Sequence, residues 1–272
     1  MRLALRRLPW RGALAALAAS LLAACAHRVA AGAERDAPIP ILVYHRFGPV
    51  VADRMTVSVR TFEWQLRYLE EHHFSVIPLR QLVDHRLGTA PPPPAPAVVI
   101  TTDDGHRSVY DEMRPLVLRH RVPVTLFVYP SAISRASYAL TWDQLRELRA
   151  TGLFDVQSHT YWHPNFEKEK RRLPPAEYGR FVASQLTKAR EKLRLELGAS
   201  PDILAWPFGI VDPELAGYAR AAGYRAGVTL ERRHARAGDD LLALPRYLVT
   251  DGDRGRVFER LLSVGSAEAA RR

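Results

Sequence analysis

Val98-Val99-Ile100-Thr101-Thr102-Asp103-Asp104-Gly105 is an apolar β-type run that ends in two adjacent carboxylates and a glycine. A strand buried on both faces of a parallel sheet reads as continuous apolar sequence. In α/β folds, ligands gather where such strands end. Two carboxylates at that end serve no packing purpose, and Gly105 permits a sharp turn straight after them. An ordinary Asp-Gly turn leaving a strand accounts for the same residues without any function, so the reading depends on the rest of the chain.

Strand and helix patterns alternate on both sides of this run. Ile39-Pro40-Ile41-Leu42-Val43-Tyr44-His45 is a β run closing on a histidine. Thr61 is expected to cap a helix with Phe62, Leu66 and Leu69 on one face, ending near His72-His73. A second helix is expected over 79–87, stopping at Gly88, and Pro91-Pro92-Pro93-Pro94 reads as an extended connector. Beyond the central run the pattern predicts helix over 109–120, strand over 122–129, and a helix opened by the capping box Thr141-Trp142-Asp143-Gln144. A strand over 153–157 leads into Ser158-His159-Thr160-Tyr161-Trp162-His163-Pro164, and a long helix over 176–197 closes at Gly198. Ile203-Leu204-Ala205-Trp206 is a strand followed by Pro207-Phe208-Gly209, and Asp212-Pro213 open a helix that Gly223 ends. Strands over 224–230 and 242–249 and a helix over 253–264 complete the pattern. Such alternation implies an α/β fold with a parallel sheet, and this many units favour closure into a single-domain barrel.

The first residues belong to a different regime. Arg2, Arg6, Arg7 and Arg11 precede an Ala/Leu-rich stretch over 12–24 that is too short to span a bilayer and reads as an export signal. It closes on Leu22-Ala23-Ala24-Cys25, which resembles a lipoprotein cleavage box. The expected organisation is a signal peptide over 1–24, an anchor and tether over 25–38, one domain over 39–264 and a tail over 265–272. Cys25 is the expected lipidation site, and Ala26 behind it resembles an outer-membrane sorting signal, which places the protein on the membrane facing the periplasm. It is the sole cysteine, so no intramolecular disulfide forms in the chain. Of the formal net charge of +10, four units are the leader arginines, which leaves +6. No nucleic-acid motif accompanies that charge, and a monomer is expected, with protein partners left open.

Four features fall at or just beyond strand ends: His45, Asp103-Asp104, His159 with His163, and Trp206-Pro207-Phe208-Gly209. In a parallel sheet all four share one rim. The two histidines are four residues apart, so on a helical turn both imidazoles face one way. One carboxylate and two histidines make a facial triad with open positions, suited to Zn²⁺, Fe²⁺, Co²⁺ or Ni²⁺, with zinc the commonest. One aspartate then binds the metal while the other takes a proton from water. Histidine is the side chain that exchanges protons near neutral pH, so His45 suits protonation of a leaving amine.

Thr101-Thr102-Asp103-Asp104-Gly105, Ser158-His159-Thr160-Tyr161-Trp162-His163-Pro164 and Trp206-Pro207-Phe208-Gly209, in this order, resemble the polysaccharide deacetylase (NodB-homology) family, carbohydrate esterase family 4, over about residues 39–250. The resemblance implies a distorted (β/α) barrel, a metal-dependent hydrolase and removal of N-acetyl groups from GlcNAc polymers. It implies Asp103 as general base and Asp104, His159 and His163 as metal ligands. Trp206, Pro207, Phe208 and Tyr161 are the implied sugar contacts. Thr102 stands where the family has Phe, and Ala205 where many members carry an Arg beside the base. Ile41-Leu42-Val43-Tyr44-His45 and Leu244-Pro245-Arg246-Tyr247 resemble the circularly permuted branch that deacetylates poly-β-1,6-N-acetylglucosamine in biofilms. That implies His45 as the acid and Arg246 as the source of the missing guanidinium, with a structural salt bridge the competing role for Arg246. Two further functions remain open on this sequence: an O-acetyl polysaccharide esterase using the same site, and a non-catalytic glycan-binding lipoprotein.

Overall fold

In the computed structural model, which describes residues 37–263, the run at 98–105 becomes an inner strand of a parallel sheet. Cys25, the leader and most of the tether, and the last residues from 264, lie outside the described part. Strand β1 is Ile41–Tyr44, β4 Ser75–Ile77, β5 Ala97–Thr102, β6 Val124–Val128, β7 Phe154–Ser158, β8 Ile203–Ala205, β9 Ala226–Val228 and β10 Tyr247–Leu248. Two short strands, β2 (Arg46–Gly48) and β3 (Thr56–Ser58), pair only with each other. The main sheet runs β10-β1-β5-β6-β7-β8-β9. The edge of β5 away from β1 is shared lengthwise: β4 pairs with its first half and β6 with its second.

The sheet's two ends meet. Val228 in β9 bridges in parallel to Leu244, three residues ahead of β10, and the amide hydrogens of Thr229 and Leu244 close the seam on Leu244 and Gly227 carbonyls. The result is the barrel expected from the alternation of elements, with the distortion that the family resemblance implies. Successive strand side chains point to opposite faces. Ile41, Val99, Phe127, Ile203, Ala205 and Val228 therefore pack together inside the barrel. Their neighbours Leu42, Val98, Ile100, Leu126 and Val156 pack outside against helices. All six residues of β5 are buried, which is why the run carries no polar alternation.

Helix α1 (Val59–Glu71) starts two residues before Thr61. Ser58, in extended conformation, is its cap, and its hydroxyl accepts the Thr61 amide at 3.1 Å, while Thr61 itself is buried in the first turn. Helix α2 is Leu79–Arg86, as expected. The expected helix over 109–120 divides into a π turn, Val109–Met113, and α3, Arg114–His120. Pro115 has no amide to continue an α ladder, and the Arg114 amide bonds back to Val109. Helix α4 (Trp142–Ala150) carries both halves of the capping box. A short helix, α5 (Phe166–Arg172), goes unpredicted because Phe166 is its sole buried residue and no apolar period exists to detect. Helices α6 (Pro175–Leu197), α7 (Pro213–Ala221) and α8 (Arg256–Leu262) follow the pattern closely. The expected strand over 242–249 shrinks to β10 behind a 3₁₀ turn at Leu241–Ala243, since Asp240 caps that turn and Pro245 withdraws an amide. Among the described residues no helix is long and apolar enough to cross a membrane.

Candidate active site and metal centre

Strand register places the chemistry on one rim. Tyr44 pairs with Thr102, so His45 and Asp103 emerge side by side; Val128 pairs with Ser158, so Tyr129 and His159 do the same. Asp103 keeps the inward alternation of Val99 and Thr101 and stays buried. Asp104 (φ 72°) and Gly105 (φ 67°) are consecutive left-handed residues that turn the chain sharply at the strand end. At Gly105 an added Cβ would lie 2.9 Å from Val128 Cγ1, so space as well as conformation requires glycine there.

Arg246 is fully buried inside the barrel and grips Asp103 with both ends of its guanidinium. Nη1 donates to Oδ1 at 2.8 Å and Nη2 to Oδ2 at 2.7 Å. Nη1 also donates to Thr101 Oγ1 at 3.1 Å, and Nε to the Thr229 carbonyl at 2.9 Å. Burial alone would raise the Asp103 pKa, but the Arg246 charge, helped by His159, holds it far below the usual carboxylate range. The ion pair thus favours the ionised form of Asp103. The Ala205 carbonyl accepts a 2.7 Å hydrogen bond from His159 Nδ1.

That bond fixes the His159 tautomer, because a carbonyl can only accept. Nε2 then turns its lone pair inward, 3.7 Å from Asp104 Oδ1 and 3.8 Å from Asp103 Oδ2. His163 Nε2 lies 3.8 Å from the same Asp104 oxygen. Ligand atoms of Asp104, His159 and His163 all fall within 4.8 Å of one another. Burial pushes the His159 pKa down to about 3 and lowers that of His163, so both rings are neutral and can donate lone pairs. Burial raises the Asp104 pKa, with Asp103 adding to the rise and His45 opposing it. Two imidazoles with one carboxylate, one ring braced by a backbone carbonyl, fit a divalent transition metal.

The histidines do not converge through a helical turn. Residues 159–163 are irregular, with Thr160 (φ 64°) and His163 (φ 63°) both left-handed. Thr160 Oγ1 accepts the His163 amide at 3.2 Å and the buried Gln185 Oε1 accepts the Trp162 amide at 3.1 Å, so side-chain hydrogen bonds replace the helix ladder. The imidazole centroids end 4.5 Å apart.

His45 is buried at the rim, and its Nδ1 has no hydrogen-bond partner. Trp206 and Pro207, expected along the sugar pocket, are instead buried; the Trp206 indole donates to the Leu242 carbonyl at 2.7 Å and packs on Phe166. Helices α6 and α7 cover this side of the barrel, which makes Trp206 a core residue. Phe208, left-handed at φ 58°, is half exposed with its ring 4.7 Å from His163. Tyr161 is partly buried, and its carbonyl accepts the Ser131 amide at 3.0 Å. Sequence reasoning missed a cleft of about 500 Å³ against His163, lined among others by Tyr129, Arg135, Tyr138 and Trp162. Tyr129 was detectable as the residue ending β6 on the same rim, whereas Arg135 and Tyr138 sit on a long loop without pattern.

The chain is similar to several known proteins. A family model described as polysaccharide deacetylase matches residues 90–227. The poly-beta-1,6-N-acetyl-D-glucosamine N-deacetylase of Staphylococcus aureus is 23% identical over 212 residues, covering 76% of this chain and 71% of that protein. IcaB from Ammonifex degensii shares the fold at a TM-score of 0.72 and 26% identity, over 83% of this chain and 97% of its own. The Streptococcus pyogenes deacetylase PplD, solved in complex with acetate, gives a TM-score of 0.74 at 20% identity, over 84% of this chain and 99% of that one.

Removing one partner of the buried pair should be costly. Arg246→Met is expected to destabilise the fold by about 3–5 kcal/mol at neutral pH, because Asp103 is left buried and charged. In the native protein the Asp103 pKa is depressed, so its stabilising contribution is present above the unfolded value of about 3.9 and fades as pH falls through the folded one. In the variant, burial raises that pKa and acid relieves the cost. Denaturant unfolding should therefore show the gap between the two proteins narrowing from pH 7 to pH 4; a constant gap would contradict the ion-pair account.

Proposed function

Because the chain belongs to the polysaccharide deacetylase family, we propose that it removes N-acetyl groups from a glucosamine polymer of the poly-β-1,6-linked type, with a divalent metal held by Asp104, His159 and His163. The observation that carries this reading is the pairing of an Arg-clamped carboxylate, Asp103, with an adjacent Asp-His-His donor set on one barrel rim. The kinship with a poly-beta-1,6-N-acetyl-D-glucosamine N-deacetylase supports the substrate.

A divalent ion bound there supplies Lewis-acid polarisation of the acetamide carbonyl and of water. Asp103 accepts a proton from the attacking water, whose oxygen forms the new bond to the carbonyl carbon. Arg246 keeps that carboxylate ionised and fixes its rotamer through two hydrogen bonds, so the base needs no reorganisation at the moment of transfer. His45, at the end of β1 beside Asp103, delivers a proton to the departing nitrogen as the C–N bond breaks. The products are acetate and a glucosamine unit. Phe208 and the aromatic wall of the cleft offer faces on which sugar rings stack, each with a large apolar surface and little entropy to lose.

The assay is acetate release from N-acetylated oligomers of β-1,6 and β-1,4 linkage, with an O-acetylated glycan alongside. Asp103→Asn is expected to lower the rate about 10²–10⁴-fold, and a chelator should abolish turnover until zinc, cobalt, nickel or iron is restored. Activity indifferent to both treatments, or confined to the O-acetylated glycan, would overturn the proposal.

The same proposal places the enzyme on the periplasmic face of the outer membrane, through a signal peptide over 1–24, a lipid on Cys25, and a tether ending at residue 38 before a catalytic domain over 39–264 and a tail over 265–272. The Leu22-Ala23-Ala24-Cys25 sequence after a short apolar stretch supports it. Cys25→Ser should move the protein from the membrane to the soluble fraction; unchanged membrane association would contradict lipid anchoring.

A further inference from the structure

The cleft against His163 has an unbalanced charge. It is about 500 Å³, walled by Tyr129, Tyr138 and Trp162, and Arg135 is the one fixed charge among its lining residues. Arg135 also lines an adjoining cavity of about 420 Å³, together with Arg107, and no Asp or Glu lines either space. Arg107 is balanced by Asp111 at 3.2 Å, whereas Arg135 has no salt-bridge partner among the described residues. A site that welcomed a glucosamine ammonium would place a carboxylate against it.

Resting on the deacetylase reading, we infer that this cleft holds the sugar next to the reacting one, and that Arg135 selects an N-acetylated neighbour by repelling an ammonium-bearing one. The aromatic walls offer stacking surfaces to either form of the sugar, so discrimination falls to the guanidinium. Each turnover creates an ammonium, so units beside an earlier product become poorer substrates. The polymer is then deacetylated at spaced positions rather than in contiguous blocks. Two like charges ~6 Å apart change affinity about threefold in bulk-water screening and roughly tenfold at half that dielectric.

The test uses three acetylated β-linked oligomers of equal length: fully acetylated, with one free amine adjacent to a defined acetylated unit, and with the amine several units away. Acetate release and product mapping by mass spectrometry give kcat/KM for the defined unit in each. The full-length protein should use the adjacent-amine oligomer about three- to tenfold less well than the other two, and 1 M salt, which screens exposed charges within about 3 Å, should erase the difference. Arg135→Glu should abolish or reverse the preference, and Arg135→Lys should keep it. The inference is overturned if the native protein does not discriminate, if salt leaves the preference intact, or if Arg135→Glu retains it. Failure of the deacetylase reading looks different, because no acetate then leaves even the fully acetylated oligomer.

Discussion

The ion pair between Asp103 and Arg246 is the constraint on which the site depends. It joins the end of β5 to the segment entering β10, and the Thr229 carbonyl and Thr101 hydroxyl complete the guanidinium's hydrogen bonds. Burying two charges costs several kcal/mol each, recovered only when geometry and hydrogen bonding are nearly complete, and an apolar pair of similar volume would stabilise the barrel as well. The pair therefore makes sense as a device for holding a charge in place. It keeps one carboxylate ionised and oriented where burial alone would neutralise it.

The neighbouring groups gain their character from that fixed charge and from burial. Asp104, one residue on, is turned by two left-handed residues toward His159 and His163, and burial raises its pKa where Arg246 lowers that of Asp103. Two adjacent carboxylates are thereby driven apart in acidity. The imidazoles, neutral through burial, complete the donor set. The Ala205 carbonyl orients His159, so this strand residue serves the site through its backbone.

Much of this was legible because strand ends are legible. Apolar runs closing on His45, Asp103 and His159 place those residues on one rim once the sheet is parallel, and register alone then makes them neighbours. What local pattern could not supply was set by tertiary contacts. Four-residue spacing suggested a helical turn for His159 and His163, whereas backbone hydrogen bonds to the Thr160 and Gln185 side chains hold an irregular loop that reaches a similar convergence. Trp206 and Phe208 look alike in sequence, yet helices α6 and α7 cover the first and leave the second exposed. Arg246 is 143 residues from Asp103, and both it and His45 fall outside the family match at 90–227, so their places follow from barrel closure. The cleft loop carrying Arg135 and Tyr138 has no periodicity to read.

The division of labour between the two aspartates is tested most directly by titrating zinc into metal-stripped protein by calorimetry. Asp103→Asn should bind one zinc with nearly native affinity, while Asp104→Asn should lose at least about 100-fold, since removing a ligand costs no less than disturbing the groups that orient one. Equal losses in both variants, or native affinity in Asp104→Asn, would contradict the assignment of base and ligand.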